Sequence, residues 1–242
     1  NFILIKAGEI TRSMPPGHFN ALFVEDVNKL DTPDYMDAFE AAFNQGAFIM
    51  WNHPGWKAQQ PDTCKWWPVH TTLLENGWLQ GIEVFNEKEW YPISLDWCKE
   101  KKLAYIATSD IHGIVSHKYN LEKYHRPLTL VFAKERTSES IKEAMFDNRT
   151  IAWYGNYLAG ESDFLKAFFK ASVEFQKIEK EKYFLKNSSD VPFLLKNENG
   201  KNYTIPASGE IVITFNIKDK EKYNVINLIS GSNEYLKVEL PL

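Results

Sequence analysis

The first 160 residues alternate between short apolar runs and segments whose apolar residues recur at helical spacing. In "DYMDAFEAAFN", Met36, Phe39 and Phe43 share one helical face, and the segment stops at Gly46. Strands that alternate with helices indicate an α/β domain with parallel strands, either open or closed into a barrel. The predicted strands are residues 2–5, 21–24, 47–51, 81–86, 103–110, 128–134 and 150–154, and the predicted helices are residues 34–44, 70–76, 94–102 and 138–147.

The residue types change near residue 160. All His, Cys, Trp and Arg residues lie at or before Trp153. Lys and Glu recur through residues 161–180, and this pattern predicts a helical connector. Short apolar runs separated by "SSDVP", "NENGKN" and "SGSN" follow it, a pattern typical of an all-β module. We therefore expect an α/β domain at 1–160, a connector at 161–180 and a small β-sandwich-like accessory domain at 181–242.

Charge and composition narrow the range of partners. The chain has 28 Lys and Arg residues against 32 Asp and Glu, a formal net charge of -4. It has no basic run that could follow a nucleic-acid backbone, so a long nucleic acid is not a favoured partner. The chain has no apolar run of about 18 residues, so the sequence predicts no membrane span. Two cysteines do not make a disulfide framework. A short phosphorylated substrate is compatible with this composition. The sequence does not determine the oligomeric state or whether the protein is cytoplasmic or exported.

Polar side chains with metal-ligand chemistry stand repeatedly at strand ends. The carboxyl ends of parallel strands meet at one rim, which is where ligands bind in α/β folds. In "SDIH" the two polar residues are separated by one position, so a strand would turn both to the same side. Carboxylates and imidazoles without thiolates suit Zn, Mn or Fe(II). The candidate ligands of one polynuclear metal site are Glu9, His18, His53, Asp110 and His112.

Each of these residues also has an ordinary structural interpretation. A single strand-end histidine is more often hydrogen-bonded than metal-bound, and "NHPG" contains residues that favour turns. Glu9 alone could be a helix cap or a surface carboxylate, and Asp110 alone could cap the next segment. Because five such residues recur at predicted strand ends, the metal site is the favoured interpretation.

Four motifs carry a resemblance to a known family. "GEITRSMPPGH", "WNHPGW", "GIEVFN" and "ATSDIHG", in this order, resemble the later motifs of the polymerase and histidinol phosphatase (PHP) domain, in its bacterial metal-dependent phosphoesterase branch. The resemblance covers about residues 1–160. The tail is similar, more loosely, to a small β domain attached to some of these phosphoesterases.

The resemblance implies a fold and a metal site. The fold is a distorted (β/α)7 barrel that holds up to three divalent ions (Zn, Mn or Fe) at its carboxyl rim. Glu9 would be the bridging carboxylate, His18 and His53 would bind neighbouring ions, and Asp110 and His112 would be the last pair of ligands. The family opens with a His-x-His strand and an Asp-His turn, which have no counterpart here. We expect the N-terminal part of the barrel to be missing from this chain.

The implied chemistry is hydrolysis of a phosphate ester by a metal-bridging hydroxide, since metal ions neutralise the phosphoryl charge and acidify water. Asp110 would hold the hydroxide together with Glu9. Arg12 and Arg126 are candidates to bind the phosphate. His70 is a candidate acid, with a structural role at a helix start as the alternative, and Glu83 is interpreted as a supporting or structural residue.

The sequence thus predicts a metal-dependent phosphoesterase, acting on a phosphodiester or phosphomonoester of a small molecule, nucleotide or short oligonucleotide. One alternative is a monoesterase that resembles histidinol phosphatase. The other is a non-catalytic PHP-derived domain with a metal-binding or structural role.

Overall fold

The computed structural model describes residues 2–122, 125–214 and 221–240. These residues contain sixteen strands and six α-helices, with about 35% of them in strands and 24% in helices. Internal contacts divide the chain into two units, residues 1–152 and 153–242. No helix in the described part of the chain is long and apolar enough to cross a membrane.

The first unit contains most of the helices. Its strands are β1 (Ala7–Thr11), β2 (His18–Leu22), β3 (Phe48–Trp51), β4 (Gly81–Asn86), β5 (Glu89–Trp90), β6 (Ala104–Thr108), β7 (Leu128–Val131) and β8 (Thr150–Tyr154), within which the unit ends. Its helices are α1 (Tyr35–Asn44), α2 (Pro68–Glu75), α3 (Pro92–Lys101), α4 (Val115–Lys118) and α5 (Ser138–Phe146), with a 3₁₀ helix at Val27–Leu30.

Helix α1 shows how local sequence sets these boundaries. The side chain of Asp34 accepts a hydrogen bond from the Met36 amide at 2.8 Å, which satisfies one of the free N–H groups at the helix start. The helix ends before Gly46, whose φ of +68° suits glycine. Ala38, Phe39 and Ala42 are buried on the inner face, whereas Phe43, which the apolar spacing predicted on the same face as Phe39, is exposed.

The main sheet of the first unit mixes both strand directions. Its order is β1-β2-β3-β4-β5, and β6 also pairs with β4. The β1–β2 and β2–β3 pairs are antiparallel, whereas β3–β4 and β4–β6 are parallel. The predicted fold class, α/β with a distorted, N-terminally incomplete (β/α)7 PHP barrel followed by a small all-β domain, is therefore wrong. The structure is mostly β, with more strand than helix, and the described residues form no complete barrel.

The β1–β2 connection supplies a physical reason for this difference. Residues 12–17 are the whole connection, and a parallel crossover needs a dozen or more residues. The chain therefore turns back as a hairpin, with Thr11 opposite His18. The strand predicted at residues 2–5 is also wrong, because β1 begins only at Ala7.

The parallel part of the sheet is the most deeply buried. Every residue of β3 and β4 is buried, as expected for strands covered on both faces. Phe48, Met50, Ala104, Ile106 and Met145 form one apolar cluster between β3, β6 and α5. A rigid core therefore supports the carboxyl ends of β3, β4 and β6.

The second unit is mostly β-structure. It contains β9 (Tyr157–Gly160), α6 (Ser162–Ser172), β10 (Val173–Lys177), β11 (Lys182–Asn187), β12 (Phe193–Lys196), β13 (Asn202–Ile205), β14 (Glu210–Thr214), β15 (Glu221–Gly231) and β16 (Glu234–Leu240). The segment predicted as a helical connector thus contains α6 and then the strand β10.

Two groups of paired strands build this unit. One is β10-β11-β14, which is antiparallel throughout, and the other contains β13-β12-β15-β9, with β16 paired to β15. Buried and exposed residues alternate along β16, which is typical of a strand with one covered face. Phe169 of α6 packs edge-on against Phe193 of β12, with ring centroids 4.8 Å apart.

Candidate active site

A polar pocket lies at the carboxyl ends of the parallel strands of the first unit. Its volume is about 360 Å³. His53 follows β3, Glu83 and Asn86 belong to β4, and Asp110 follows β6. The full lining is Asn20, Asn52, His53, Glu83, Asn86, Ala107, Thr108, Ser109, Asp110, Arg126, Pro127, Leu128 and Thr129. The pocket therefore contains three of the predicted site residues, His53, Asp110 and Arg126.

The turn after β3 holds His53 in an unusual backbone conformation. Its φ is 29°, in the left-handed region that residues with a Cβ rarely adopt. The His53 amide donates to Glu83 Oε2 at 2.5 Å, and its carbonyl accepts from the Trp56 amide at 2.9 Å. Such a conformation persists only where its surroundings enforce it, and these two bonds supply that constraint.

His18 and Glu9 lie beside His53. The His18 and His53 rings meet edge-on, with centroids 4.9 Å apart. His18 Nδ1 is 3.3 Å from Glu9 Oε1, and the other ring nitrogen is 3.0 Å from Gln59 Nε2. Because β1 and β2 form a hairpin, a carboxylate and an imidazole from its two strands can meet. The structure thus brings Glu9, His18 and His53 together.

Asp110 and His112 are neighbours, but they lie in different surroundings. Asp110 also has a positive φ, 43°, and lines the pocket. His112 Nδ1 is 2.9 Å from the Asp110 carbonyl oxygen and 3.8 Å from Oδ1, but the His112 side chain is 82% exposed. Asp110 is therefore a pocket residue, while His112 lies at the protein surface beside it.

The electrostatics of His53 reflect this clustering. Burial lowers the pKa of His53, and the nearby His18 lowers it further, whereas the carboxylates of Asp110 and Glu9 oppose the change. The net effect keeps the His53 imidazole neutral at physiological pH, the form that binds a metal ion or accepts a proton.

The comparisons with known proteins identify the family of the chain. The chain is similar to the crystal structure of a two-domain protein from Bacteroides vulgatus that contains a predicted PHP-like metal-dependent phosphoesterase. The TM-score is 0.93 at 39% sequence identity, over all of this chain and 75% of that one. The chain belongs to the PHP-like metal-dependent phosphoesterase family. A family model described as an Ig-like domain matches residues 169–241. A search of curated proteins finds no significant match.

The fold places the two predicted phosphate-binding arginines differently. The guanidinium of Arg12 donates to the carbonyls of Thr11 and Thr32, each at 2.8 Å, and it is outside the pocket lining. Arg126 does line the pocket, and its side chain donates to Ser109 Oγ at 3.4 Å. Of the two predicted phosphate ligands, the geometry favours Arg126.

His70 is fully buried and bonded through both ring nitrogens. Nε2 is 2.8 Å from the Pro16 carbonyl oxygen, and Nδ1 accepts from the Trp67 amide at 3.1 Å. Its ring also lies 3.8 Å from that of Trp51, centroid to centroid. Burial lowers the pKa of His70 to about 4. This geometry favours the structural alternative over the catalytic one.

Glu83 has a larger part in the pocket than the sequence suggested. It is fully buried, and burial raises the pKa of its carboxyl to about 7. Its carboxylate accepts hydrogen bonds from the His53 amide, from Asn86 Nδ2 at 2.9 Å and from the Thr108 hydroxyl. The available signal was a charged residue in the middle of the apolar strand "GIEVFN".

The PHP-like site fits a divalent ion in chemistry but not in number of ligands. Its imidazoles and carboxylates are donors that Zn, Mn and Fe accept. Asn52 Oδ1, at the pocket, is buried and accepts no hydrogen bond from a described residue. Among residues 2–122, 125–214 and 221–240, however, no three His, Cys, Asp or Glu side chains are grouped as ligands of one ion.

Proposed function

We propose that this chain hydrolyses a phosphate ester in the pocket that contains His53, Asp110 and Arg126. The observation that supports this function most directly is that an imidazole, a carboxylate and a guanidinium line one polar cavity. Membership in the PHP-like metal-dependent phosphoesterase family supports the reaction class.

Arg126 binds the substrate phosphate. A guanidinium presents several N–H donors in a planar fork that matches two phosphate oxygens. In the described structure the side chain makes one protein hydrogen bond, the long one to Ser109. Its other N–H donors can therefore bind a phosphate without first breaking a strong hydrogen bond within the described residues. Arg126 thereby orients the phosphorus atom toward the carboxyl ends of β3 and β6.

Asp110 and His53 act on the water and protons of the reaction. The Asp110 carboxylate accepts a hydrogen bond from the attacking water and orients it, since a fixed acceptor removes part of the entropy cost of attack. The neutral His53 accepts a proton or binds an ion. Asn52 contributes an amide oxygen that accepts no hydrogen bond from a described residue and that accepts one from a substrate hydroxyl or a water.

Divalent metal ions complete the proposed site. Glu9, His18, His53, Asp110 and His112 are the residues that would hold them, as Zn, Mn or Fe, with further ligands needed from other residues. When bound, such ions neutralise the phosphoryl oxygens and lower the pKa of water. The full set of up to three ions stays a prediction.

The pocket suits a small substrate. A volume of about 360 Å³ holds a phosphorylated metabolite, a nucleotide or the end of a short oligonucleotide. The polar lining favours an ester with hydroxyl groups. Both a phosphomonoester and a phosphodiester fit this description.

The non-catalytic alternative also has an observation in its favour. Because no three described donors are grouped for one ion, a structural or ligand-binding role without hydrolysis is the second candidate. Metal content and activity distinguish the two functions.

The test uses the purified chain supplied with Mn²⁺ or Zn²⁺. Hydrolysis of p-nitrophenyl phosphate and bis-p-nitrophenyl phosphate is measured, together with the metal content. His53→Ala and Asp110→Asn are expected to abolish hydrolysis, whereas the control His117→Ala, at an exposed position outside the pocket, is expected to retain it. A folded, metal-supplied chain that hydrolyses neither ester, or whose hydrolysis survives both substitutions, would contradict the proposal.

A further inference from the structure

We propose that Glu83 is a positioning residue whose buried carboxylate holds the two turns that carry His53 and Asp110. The importance of these two residues rests on the proposed function, but the positioning itself does not.

Burial shows that Glu83 occupies a place where a charged group is normally avoided. It lies in β4, a strand whose six residues are all buried, and its own side chain has no exposed surface. A carboxyl group at such a position is costly unless hydrogen bonds satisfy it. Among the described contacts those bonds come from neutral donors, the His53 amide, the Asn86 side chain and the Thr108 hydroxyl.

The three donors come from three different segments. His53 follows β3, Asn86 ends β4, and Thr108 ends β6. Thr108 is also two residues before Asp110. One carboxylate therefore connects the carboxyl ends of the parallel strands β3, β4 and β6. It lies where the turns that carry His53 and Asp110 begin.

Both turns need such a constraint. His53 has a φ of 29° and Asp110 a φ of 43°, and a residue with a Cβ holds this conformation only when its surroundings enforce it. The bond to Glu83 reaches the His53 backbone directly, at 2.5 Å. Its bond to Thr108 restrains the strand end from which the Asp110 turn departs.

The test compares two substitutions of Glu83. In Glu83→Gln, the amide oxygen accepts from the His53 amide while the amide nitrogen donates to Thr108, whose hydroxyl reverses its role. In Glu83→Leu, a side chain of similar size makes none of these bonds. Thr150→Val is the matched control, because Thr150 is equally buried in the same unit and its hydroxyl accepts from the Tyr105 amide at 3.0 Å, away from the pocket.

The first readout is the NMR signal of the His53 backbone amide in the full chain, which a short hydrogen bond shifts downfield. We expect Glu83→Leu to move it upfield and Glu83→Gln and Thr150→Val to leave it near its wild-type position. The second readout is Mn²⁺ affinity. We expect it to fall about tenfold to a hundredfold in Glu83→Leu, the range for residues that orient metal ligands, and to recover in Glu83→Gln.

An unchanged His53 amide in folded Glu83→Leu would overturn the positioning role. So would an equal loss of Mn²⁺ affinity in Thr150→Val, since that loss would reflect general destabilisation. If Glu83→Leu does not fold, Thr108→Val, which removes one of the three bonds, is expected to shift the amides of residues 108–110, and unchanged signals there overturn the proposal. Failure of the proposed function has a different signature: the amides respond as expected, yet the wild-type chain hydrolyses neither test ester.

Discussion

Arg126 and His70 show how differently two candidate residues can be placed. Among the described residues, the Arg126 side chain at the pocket makes one long hydrogen bond, whereas His70 is buried with both ring nitrogens engaged. A side chain that retains bonding capacity beside a cavity can bind a ligand, while one whose bonds are satisfied within the core stabilises the fold. The two residues therefore call for different experiments, one on catalysis and one on stability.

Arg126→Met is expected to lower kcat/KM for phosphate esters. A hydrogen bond to a charged group contributes about 1.5–3 kcal/mol, which corresponds to roughly tenfold to a hundredfold. Steady-state kinetics of the metal-supplied chain measure the change, with Arg136→Met, at an exposed position outside the pocket, as the control. Equal losses in both variants would show that Arg126 has no specific role.

His70 is expected to make stability depend on pH. Because its pKa is lowered to about 4 in the folded chain from an ordinary value of 6.5, protonation favours the unfolded state. The contribution is present above pH 6.5 and is lost as the pH falls toward 4. Between pH 7 and 4.5 the wild type should lose roughly 2 kcal/mol more of its free energy of unfolding than His70→Gln.

Urea unfolding at both pH values measures this difference. His117→Gln is a suitable control, since His117 is exposed. The same pH dependence in wild type and His70→Gln would contradict the assignment of His70 as a buried neutral residue.

The sequence could indicate which residues lie at the site, but it could not indicate which distant groups they contact. The positions of His53 and Asp110 were predictable because polar residues that follow apolar strands stand out in the sequence, whereas Arg126, which precedes β7, was only one of two candidates to bind the phosphate. The bonding of His70 to Pro16 was not, since it joins groups 54 residues apart that only the tertiary structure brings together. The role of Glu83 depends on the same kind of long-range contact, with donors from two other strand ends.

At the scale of elements, the sequence predicted segments better than their arrangement. The predicted strand at residues 81–86 coincides with β4, and the predicted helix at 34–44 differs from α1 by one residue. These boundaries follow from local signals, namely apolar runs, the Asp34 cap and Gly46. Strand direction depends on pairing, and the antiparallel β1–β2 hairpin was missed because the strands predicted at residues 2–5 and 21–24 did not show the short connection between β1 and β2.

The turn after β3 gives a prediction about an element. A Cβ added at Gly55 would lie 2.8 Å from Tyr91 Cδ1, and Tyr91 is buried with its hydroxyl donating to Glu89 Oε2 at 2.5 Å. Gly55→Ala therefore overpacks the turn and should cost about 1–3 kcal/mol of stability. Thermal unfolding measures the cost, and activity should fall as the neighbouring His53 moves.

A double-mutant cycle tests whether Tyr91 is the cause. In a Tyr91→Leu background, the smaller side chain leaves room for the new methyl group, so the cost of Gly55→Ala should shrink. An equal cost in both backgrounds would place the strain elsewhere in the turn.

At the scale of the whole molecule, the pocket and the Ig-like match belong to different parts of the chain. Every residue that lines the pocket lies within residues 1–152, whereas the Ig-like match covers residues 169–241. Each unit has its own apolar packing, with Phe48 and Met50 in the first and Phe169 and Phe193 in the second. Chemistry at the pocket should therefore tolerate damage to the second unit.

Phe193→Ala tests this independence in the full chain. Phe193 is fully buried, and removing such a ring costs about 3–5 kcal/mol, so calorimetry should show a transition that moves to lower temperature. Below that transition, metal content and ester hydrolysis should match those of the wild type.

Phe39→Ala, a comparable change in the core of the first unit but outside the pocket lining, should instead lower the temperature at which activity is lost. If folded Phe193→Ala loses metal or activity while Phe39→Ala does not, the second unit contributes to the site, and the assignment of the chemistry to residues 1–152 alone is wrong.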